Sequence, residues 1–390
     1  MVDSCYTPDL IDIEDALARL LSLTPVSQAT ERLPLSRALD RVLADSPNAA
    51  VAVPPADNSS MDGYALHTSD LKESLKLPVS ARVCAGDVAT GYKQGHCVRI
   101  FTGAEIPAGC NAVVPQEQTT VVGDYVVFPE TVRDGSNIRR KGQDIQVGQT
   151  VIKQGARLTP AALGVLASVG LDALEVIKPL KVAIICTGNE LVEPGNQLAS
   201  GQIYNSNRYL LEGMIKRLGM HPIAFPVIED SLDATIKTLA EASLQADVII
   251  TAGGVSVGEE DHVKSAVEAL GHIDLWRIKL KPGKPLAYGK VLDKPFFGLP
   301  GNPASALITF CLFARPCLLK QQGATELAPL KLQAPASFAV DKPRARVEYI
   351  RARLEDGVIK PFANQSSGVL SSAVWANGLA AVPANKTFAS

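Results

Sequence analysis

Four short loops hold the residue types that could do chemistry: Thr187-Gly188-Asn189-Glu190, Gly253-Gly254-Val255-Ser256-Val257-Gly258, Lys281-Pro282-Gly283-Lys284-Pro285 and Pro300-Gly301-Asn302-Pro303-Ala304-Ser305. Glycines such as Gly253, Gly254, Gly258 and Gly301 allow close backbone approach and leave N–H groups for phosphate oxygens. Lys281 and Lys284 add positive charge beside prolines. Ser305 falls in the first turn of an expected helix, where unpaired N–H groups and the macrodipole favour an anion. Glu190, Asp230 and Asp261 stand at expected strand ends, and carboxylates there are the groups that carry Mg²⁺ to a phosphate. Taken singly, Asp230 reads as a helix cap, Asp261 as a favourable first-turn charge, and either lysine as a solvated surface group. Taken together, the loops point to an oxyanion or phosphate ligand. Neither GxGxxG after Gly188 nor GxxxxGK[ST] is present, so the dinucleotide and Walker A fingerprints are excluded.

The elements that must position these loops alternate strand and helix from Pro179 to about Gly323. Val182–Cys186 and Asp247–Thr251 are continuous apolar runs, as strands buried on both faces should be. Ile223–Ile228, Ile273–Leu280, Leu286–Tyr288 and Phe296–Leu299 are further expected strands. Helices are expected from Asn205 to Leu218, over Leu232–Leu244, over Glu259–Leu270 and over Ala304–Leu319. The pattern predicts a doubly wound parallel α/β domain, whose ligand crevice lies beyond the carboxyl ends of its strands. All four loops fall there.

Before this stretch the texture differs. Thr7-Pro8 starts an expected helix with Leu10, Ile13, Leu17, Leu20 and Leu21 at helical spacing, and a second is expected over Leu35–Ala44. Short β-type runs follow: Leu77–Val83, Cys97–Ile100, Ala112–Val114, Val121–Val122 and Tyr125–Phe128. A helix at Thr159–Ser168 is expected to rejoin the first ones, making the β-rich segment an insertion.

Composition bounds the class. At roughly 150 residues per domain, a chain of 390 suggests two to four domains. A formal net charge of −2 rules out a bulk polycation for nucleic acid, and aromatics at 5% argue against base-stacking platforms. The start, MVDSCYTPDL, lacks a secretory n-region and h-region, and the apolar run Ala304–Leu319 is broken by Arg315 and Pro316. A cytoplasmic protein without membrane or nucleic-acid partners is expected. The seven scattered cysteines are expected to be reduced thiols, and five histidines without HxH or HxxxH spacing make zinc a poor expectation.

Asp57-Asn58-Ser59-Ser60-Met61-Asp62-Gly63-Tyr64-Ala65 resembles the DNSAMDGYA signature of the molybdopterin molybdenumtransferases, a family that includes bacterial MoeA and the plant and gephyrin E domains. Its later motifs follow in order: Arg139–Ile145, Thr187–Leu191, Gly253–Asp261, Lys281–Pro285 and Leu299–Ser305. The resemblance spans nearly the whole chain. It implies a multidomain α/β protein: a split helical dimerisation domain (1–50 plus 145–178), a β-rich insertion domain (51–144), an α/β molybdopterin-binding domain (179–328) and a C-terminal β-barrel domain (329–390). The family usually continues past the segment matching Gly378–Val382 with another strand, so here either that strand is absent or the sequence is cut short, and a missing strand is expected to loosen Arg351 and Ser367.

The resemblance further implies a homodimer whose active site joins the α/β domain of one subunit to the β-rich domain of the other. The family's acids fall on Asp62, Asp144, Glu190, Asp230 and Asp261, its basic groups on Arg277, Lys281, Lys284 and Arg351, and its hydroxyls on Thr102, Ser305 and Ser367. The implied reaction inserts molybdate into adenylyl-molybdopterin and releases AMP. Lys284, Ser305, Arg351 and Ser367 are expected around molybdate. The pyrophosphate link is expected over Gly253, Gly254, Ser256 and Gly258 and over the turn Pro300, Gly301, Asn302 and Ser305. Mg²⁺ is expected on some of Glu190, Asp230 and Asp261. Asn189 stands where the family often has aspartate, so no second carboxylate is expected beside Glu190. The upstream adenylyltransferase is a conceivable partner. Two rival classes stay open: a non-enzymatic scaffold that binds receptor tails, and an adenylyltransferase or nucleotide hydrolase sharing GGxSxG-like loops.

Overall fold

The computed structural model describes residues 10–254, 262–283 and 285–389, with the backbone alone at 275–277 and 285. β1 (Leu10–Ile11) and α1 (Ile13–Leu23) open it, and the expected start at Thr7-Pro8 lies outside the described residues. Ile13, Ala16 and Leu20 form the buried face that helical spacing predicts. The core they enter, however, is that of the α/β layer, with Leu211, Ile215, Phe313 and Leu318. This corrects the expectation that α1 packs with the helix near residue 160, because periodicity shows that a helix has an apolar face but not what covers it. The expected helix over Leu35–Ala44 is also absent. In its place β2 (Thr30–Pro34) leads into a single 3₁₀ turn, Leu35–Arg37, and Asp40 at φ 63° breaks any helical continuation.

The next unit is built from β3 (Asn58–Ser59), β4 (Gly63–Leu66), β5 (Lys76–Val83), β6 (Cys97–Ile100), β7 (Ala112–Pro115), β8 (Thr120–Val122), β9 (Tyr125–Val127) and β10 (Ile138–Arg139). Six of them form one sheet in the order β7-β4-β6-β5-β9-β8, while β10 pairs with β3. Side chains alternate across it, as the period of two demands. Tyr64 and Leu66 join Leu77, Val126 and Phe128 on one face, and Ala65 joins Val83, Val98 and Ile100 on the other. Both cores consist of the unit's own residues.

The chain then returns through α2 (Pro160–Ser168), capped by Thr159 Oγ1 accepting the Ala162 amide at 3.2 Å, to β11 (Ala173–Ile177). β11 is antiparallel to β2, and Leu33, Leu43, Leu158, Leu166 and Val176 close a small core between this ribbon and α2.

The α/β layer comprises β12 (Lys181–Cys186), β13 (Leu191–Val192), β14 (Ile203–Tyr204), α3 (Ser206–Arg217), β15 (His221–Ala224), α4 (Leu232–Gln245), β16 (Val248–Ala252), α5 (His262–Leu270), β17 (Gly271–Ile278), β18 (Leu280–Lys281), β19 (Pro285–Val291), β20 (Lys294–Leu299), α6 (Pro303–Thr309) and, after a π turn, α7 (Arg315–Gln321). The sheet order is β1-β17-β19-β20-β16-β12-β15. One core gathers α3, α6 and α7 together with α1, and a second gathers α4 and α5, so both faces are covered. The sheet is mixed rather than wholly parallel: β15, β12, β16 and β20 run together, but β19 is antiparallel to both β20 and β17. The cause is a two-residue hairpin, Leu292-Asp293, with φ of 49° and 54°. That left-handed pair makes a tight reversal, but it lacks the Asn-Gly or Asp-Gly signal that would reveal it in sequence.

The C-terminal unit hangs on β21 (Val347–Glu355), which pairs with β22 (Val358–Pro361), with β23 (Gly378–Val382) after the short α8 (Ser371–Trp375), and with β18 of the α/β layer. Beyond β23, Phe388 and Val340 exchange two backbone hydrogen bonds, of 2.8 and 3.2 Å.

Candidate active site

β12 runs out into Thr187, whose backbone bridges to Ile228, and then into Gly188 at φ 145°. The Glu190 carboxylate folds back over Gly188 into the space a Cβ would fill, and the φ of 145° is what favours glycine there. Asn189 Oδ1 accepts the Asp230 amide at 3.1 Å and ties the two carboxylate-bearing turns together. The helix cap that Asp230 might have supplied comes from its neighbour: Ser231 Oγ accepts the Ala234 amide at 3.3 Å. The start of α4 therefore does not need the Asp230 carboxylate.

β16 ends in Gly253 and Gly254, with φ of 103° and 65°. A Cβ on Gly253 would stand 3.1 Å from the Thr187 carbonyl oxygen, and one on Gly301 would stand 3.6 Å from Gly253 Cα. On the far side, a Cβ on Gly283 would meet Thr309 Oγ1 at 2.9 Å and Ser305 Cβ at 3.8 Å. The turns after β12, β16, β18 and β20 thus meet at one edge of the sheet. Asn207, in the first turn of α3, donates from Nδ2 to the Gly301 carbonyl at 2.6 Å. Asn302 and Pro303 start α6, and Ser305 is buried beneath the turn. Ser256, Gly258, Asp261 and Lys284 lie outside the described residues, and Arg277 is placed by backbone only, in β17 opposite Leu10.

The C-terminal unit closes on this edge. The Ala304 amide donates to the Ser367 carbonyl at 3.0 Å. Lys281 lies opposite Glu348 in the β18–β21 ladder, and its Nζ is 3.1 Å from a Glu348 carboxylate that also pairs with Arg344. Arg351 is fully buried, with Nε on Ser372 Oγ at 2.9 Å and Nη2 on the Ser366 carbonyl at 2.9 Å. Burial lowers its pKa, and Nη1 has no hydrogen-bond partner among the described residues. The expected loosening of Arg351 and Ser367 is not found: Arg351 holds the loop that ends in Ser367.

The β-rich unit carries its own acids. Asp62 Oδ1 accepts both the Thr102 amide, at 2.8 Å, and the Thr102 hydroxyl, at 2.7 Å, and these bonds hold its carboxyl below the ordinary value. Asp57 accepts the Lys141 amide at 2.8 Å and Arg140 Nη1 at 2.7 Å, and is likewise held down. Arg99 lies over the rings of Tyr64 and Phe101, 5.0 and 4.7 Å from their centres, and donates to Gln116 at 2.5 Å. Asp144 is exposed at the exit of the unit, its amide bonded to the Val53 carbonyl at 3.0 Å. Among the described residues no three His, Cys, Asp or Glu side chains form a group that would hold a metal by themselves.

Residues 11–170 match the MoeA N-terminal region (domain I and II), residues 183–320 a probable molybdopterin binding domain, and residues 333–390 the MoeA C-terminal region (domain IV). A molybdopterin molybdenumtransferase of Haemophilus influenzae is 40% identical over 345 residues, 88% of this chain and 85% of that protein. The chain belongs to the molybdopterin molybdenumtransferase family. It is thereby placed among the transferases of molybdenum cofactor biosynthesis. A relative of the same name from Nostoc sp. is 34% identical over 99% of this chain and 92% of its own length. The fold agrees with a crystal structure of the molybdopterin biosynthesis MoeA protein of Pyrococcus horikoshii OT3, with a TM-score of 0.84 and 28% identity over 97% of each chain.

Two polar residues that build this edge, Glu348 and Asn207, lie outside the motifs, and the role of a third, Asn189, was not read from its motif. Asn189 is a tie between turns rather than an absent acid, Glu348 anchors Lys281, and Asn207 braces Gly301. Asn207 carried one sequence signal, its place just inside a helix that Asn205 caps, and Glu348 carried none.

Proposed function

We propose that the chain inserts molybdate into adenylyl-molybdopterin, releasing AMP and giving Mo-molybdopterin with the help of Mg²⁺. The observation that carries this reading is the meeting of the Gly253, Gly283 and Gly301 turns with the Glu190 and Asp230 turns at one sheet edge. Glycine turns in close contact present backbone N–H groups to a pyrophosphate, and carboxylates beside them suit a hard cation. The oxygen donors of Glu190 and Asp230 fit Mg²⁺, with Asp261 as the third candidate. When bound, the ion neutralises charge on the leaving phosphate. The chain's own groups bind and orient: Ser305, Ser367, Lys281, Lys284 and the Nη1 of Arg351, unpartnered among the described residues, are the donors for the oxyanions.

Asp62, preset by Thr102, lies on a unit whose cores contain no residue of the α/β layer. A second copy of the chain is the source that would bring it, with Asp144, to this edge. Support for a homodimer comes from α2, apolar nearly throughout, which leaves Ala161, Val165 and Ala167 exposed. The test is AMP release from adenylyl-molybdopterin with molybdate and Mg²⁺, paired with reconstitution of an apo-molybdoenzyme. No AMP above an enzyme-free control would overturn the reading.

A further inference from the structure

Gly301 joins two turns and carries no side chain to fix its peptide. In a trans peptide the carbonyl of one residue and the N–H of the next point in opposite directions. Rotation of the Gly301–Asn302 peptide therefore decides whether an anion at this turn meets a donor or the negative end of a carbonyl. Asn207 settles that choice from the neighbouring helix: its Nδ2 donates to the Gly301 oxygen at 2.6 Å. The cost is visible on the other half of the same amide, for Asn207 Oδ1 is buried without a hydrogen-bond partner among the described residues. An orphaned acceptor is unfavourable, and natural sequences keep one where it serves something other than stability. The braced turn is also the one that packs on Gly253: a Cβ on Gly301 would stand in van der Waals contact with Gly253 Cα, 3.6 Å away. A shift of the Gly301 peptide would disturb both turns.

We infer that Asn207 is a positioning residue for anion binding: it holds the Gly301 carbonyl toward α3 and so turns the Asn302 N–H away from α3, as a donor for a phosphate oxygen. This rests on the proposed function for the identity of the phosphate-bearing substrate, though not for the presence of an anion. An aspartate at the same place is nearly isosteric but cannot donate to Gly301, and its charge repels that carbonyl. Alanine merely releases the peptide. The order of effects is therefore Asp worse than Ala, an order that loss of packing volume alone would not give.

The experiment compares wild type, Asn207→Asp and Asn207→Ala in three readouts: inorganic pyrophosphate binding by calorimetry, KM and kcat for AMP release, and the thermal midpoint. One lost charge-assisted hydrogen bond corresponds to a rise of roughly tenfold in the dissociation constant and in KM. That rise is expected for Asn207→Asp, with a smaller one for Asn207→Ala, and with kcat changed less than KM and thermal midpoints close to wild type. Unchanged pyrophosphate binding in Asn207→Asp, or losses that follow the thermal midpoint, would overturn the inference. Wild type that binds pyrophosphate but releases no AMP would sink the proposed reaction, and the binding series would still decide the role of Asn207.

Discussion

The crevice of the α/β layer and the acid-bearing rim of the β-rich unit solve the same problem by opposite means. At the crevice, position is set by the close approach of glycine backbone: Gly253 on the Thr187 carbonyl, Gly301 on Gly253 Cα, and Gly283 on the side chains of Thr309 and Ser305. At the rim, position is set side chain by side chain, with Thr102 holding Asp62 and Lys141 with Arg140 holding Asp57. The first design leaves little room for added atoms at Gly253 and Gly283, and the second depends on its side-chain and amide donors. The crevice is suited to a ligand that must be approached closely by the main chain, the rim to delivering a charge of fixed orientation.

The sharpest way to break this contrast is to add atoms at the crevice. Gly254 has φ 65°, and a Cβ there would run into Val263 and meet Thr187 Oγ1 at 3.0 Å. Gly254→Val should lower the rate of AMP release roughly 100-fold by misplacing the turn, with a stability loss of about 1–3 kcal/mol from the left-handed backbone. Near-normal turnover would show that the crevice is not held by contact. At the rim, Asp62→Asn keeps shape and removes charge. It should lower turnover roughly tenfold or more while lowering the thermal midpoint far less than Gly254→Val does, because it only weakens the Thr102 bonds to the carboxylate; a melt shift equal to that of Gly254→Val would erase the distinction.

Two smaller changes sharpen it. Ser231→Ala removes the cap of α4 next to Asp230 and should cost about 1 kcal/mol in denaturant unfolding. Turnover should hold, since Asn189 rather than Ser231 fixes Asp230; a matching loss of activity would make Ser231 part of the site. The smallest effect concerns pH. A carboxyl depressed in the folded state contributes stability above its unfolded value, near 4, and that contribution is lost as pH falls through the folded value. Thr102 depresses Asp62, so Thr102→Val should move the acid limb of both stability and activity upward, toward the ordinary aspartate value. An unmoved acid limb would mean that the Thr102 bonds do not tune Asp62.

Much of the α/β layer was legible because its signals are local. Continuous apolar runs mark β12 and β16, Asn205 caps α3, and glycine turns follow the strands at the crevice. The short strands β5, β6, β7 and β9 were legible for the same reason. Strand direction was not, because an apolar run reads alike in a parallel and an antiparallel sheet, and Leu292-Asp293 carries none of the usual hairpin residues. The partners of α1 were not legible either, since β17 and α7 lie far along the chain, from Gly271 onward. At the site, residue types were readable but their couplings were not. Asn189 to Asp230, Asn207 to Gly301 and Lys281 to Glu348 join separate stretches of chain, and only folding brings their members together.

The bond from the Ala304 amide to the Ser367 carbonyl makes the start of α6 a shared possession. An oxyanion that takes this amide must first displace a carbonyl of the C-terminal unit. Its apparent affinity is then the intrinsic one reduced by the fraction of molecules in which the bond stands open. The trade runs both ways, because whatever opens that bond strengthens anion binding and whatever binds there loosens the hold of the C-terminal unit. With an anion at that amide, occupancy of the crevice and the posture of the C-terminal unit would be two readings of one equilibrium.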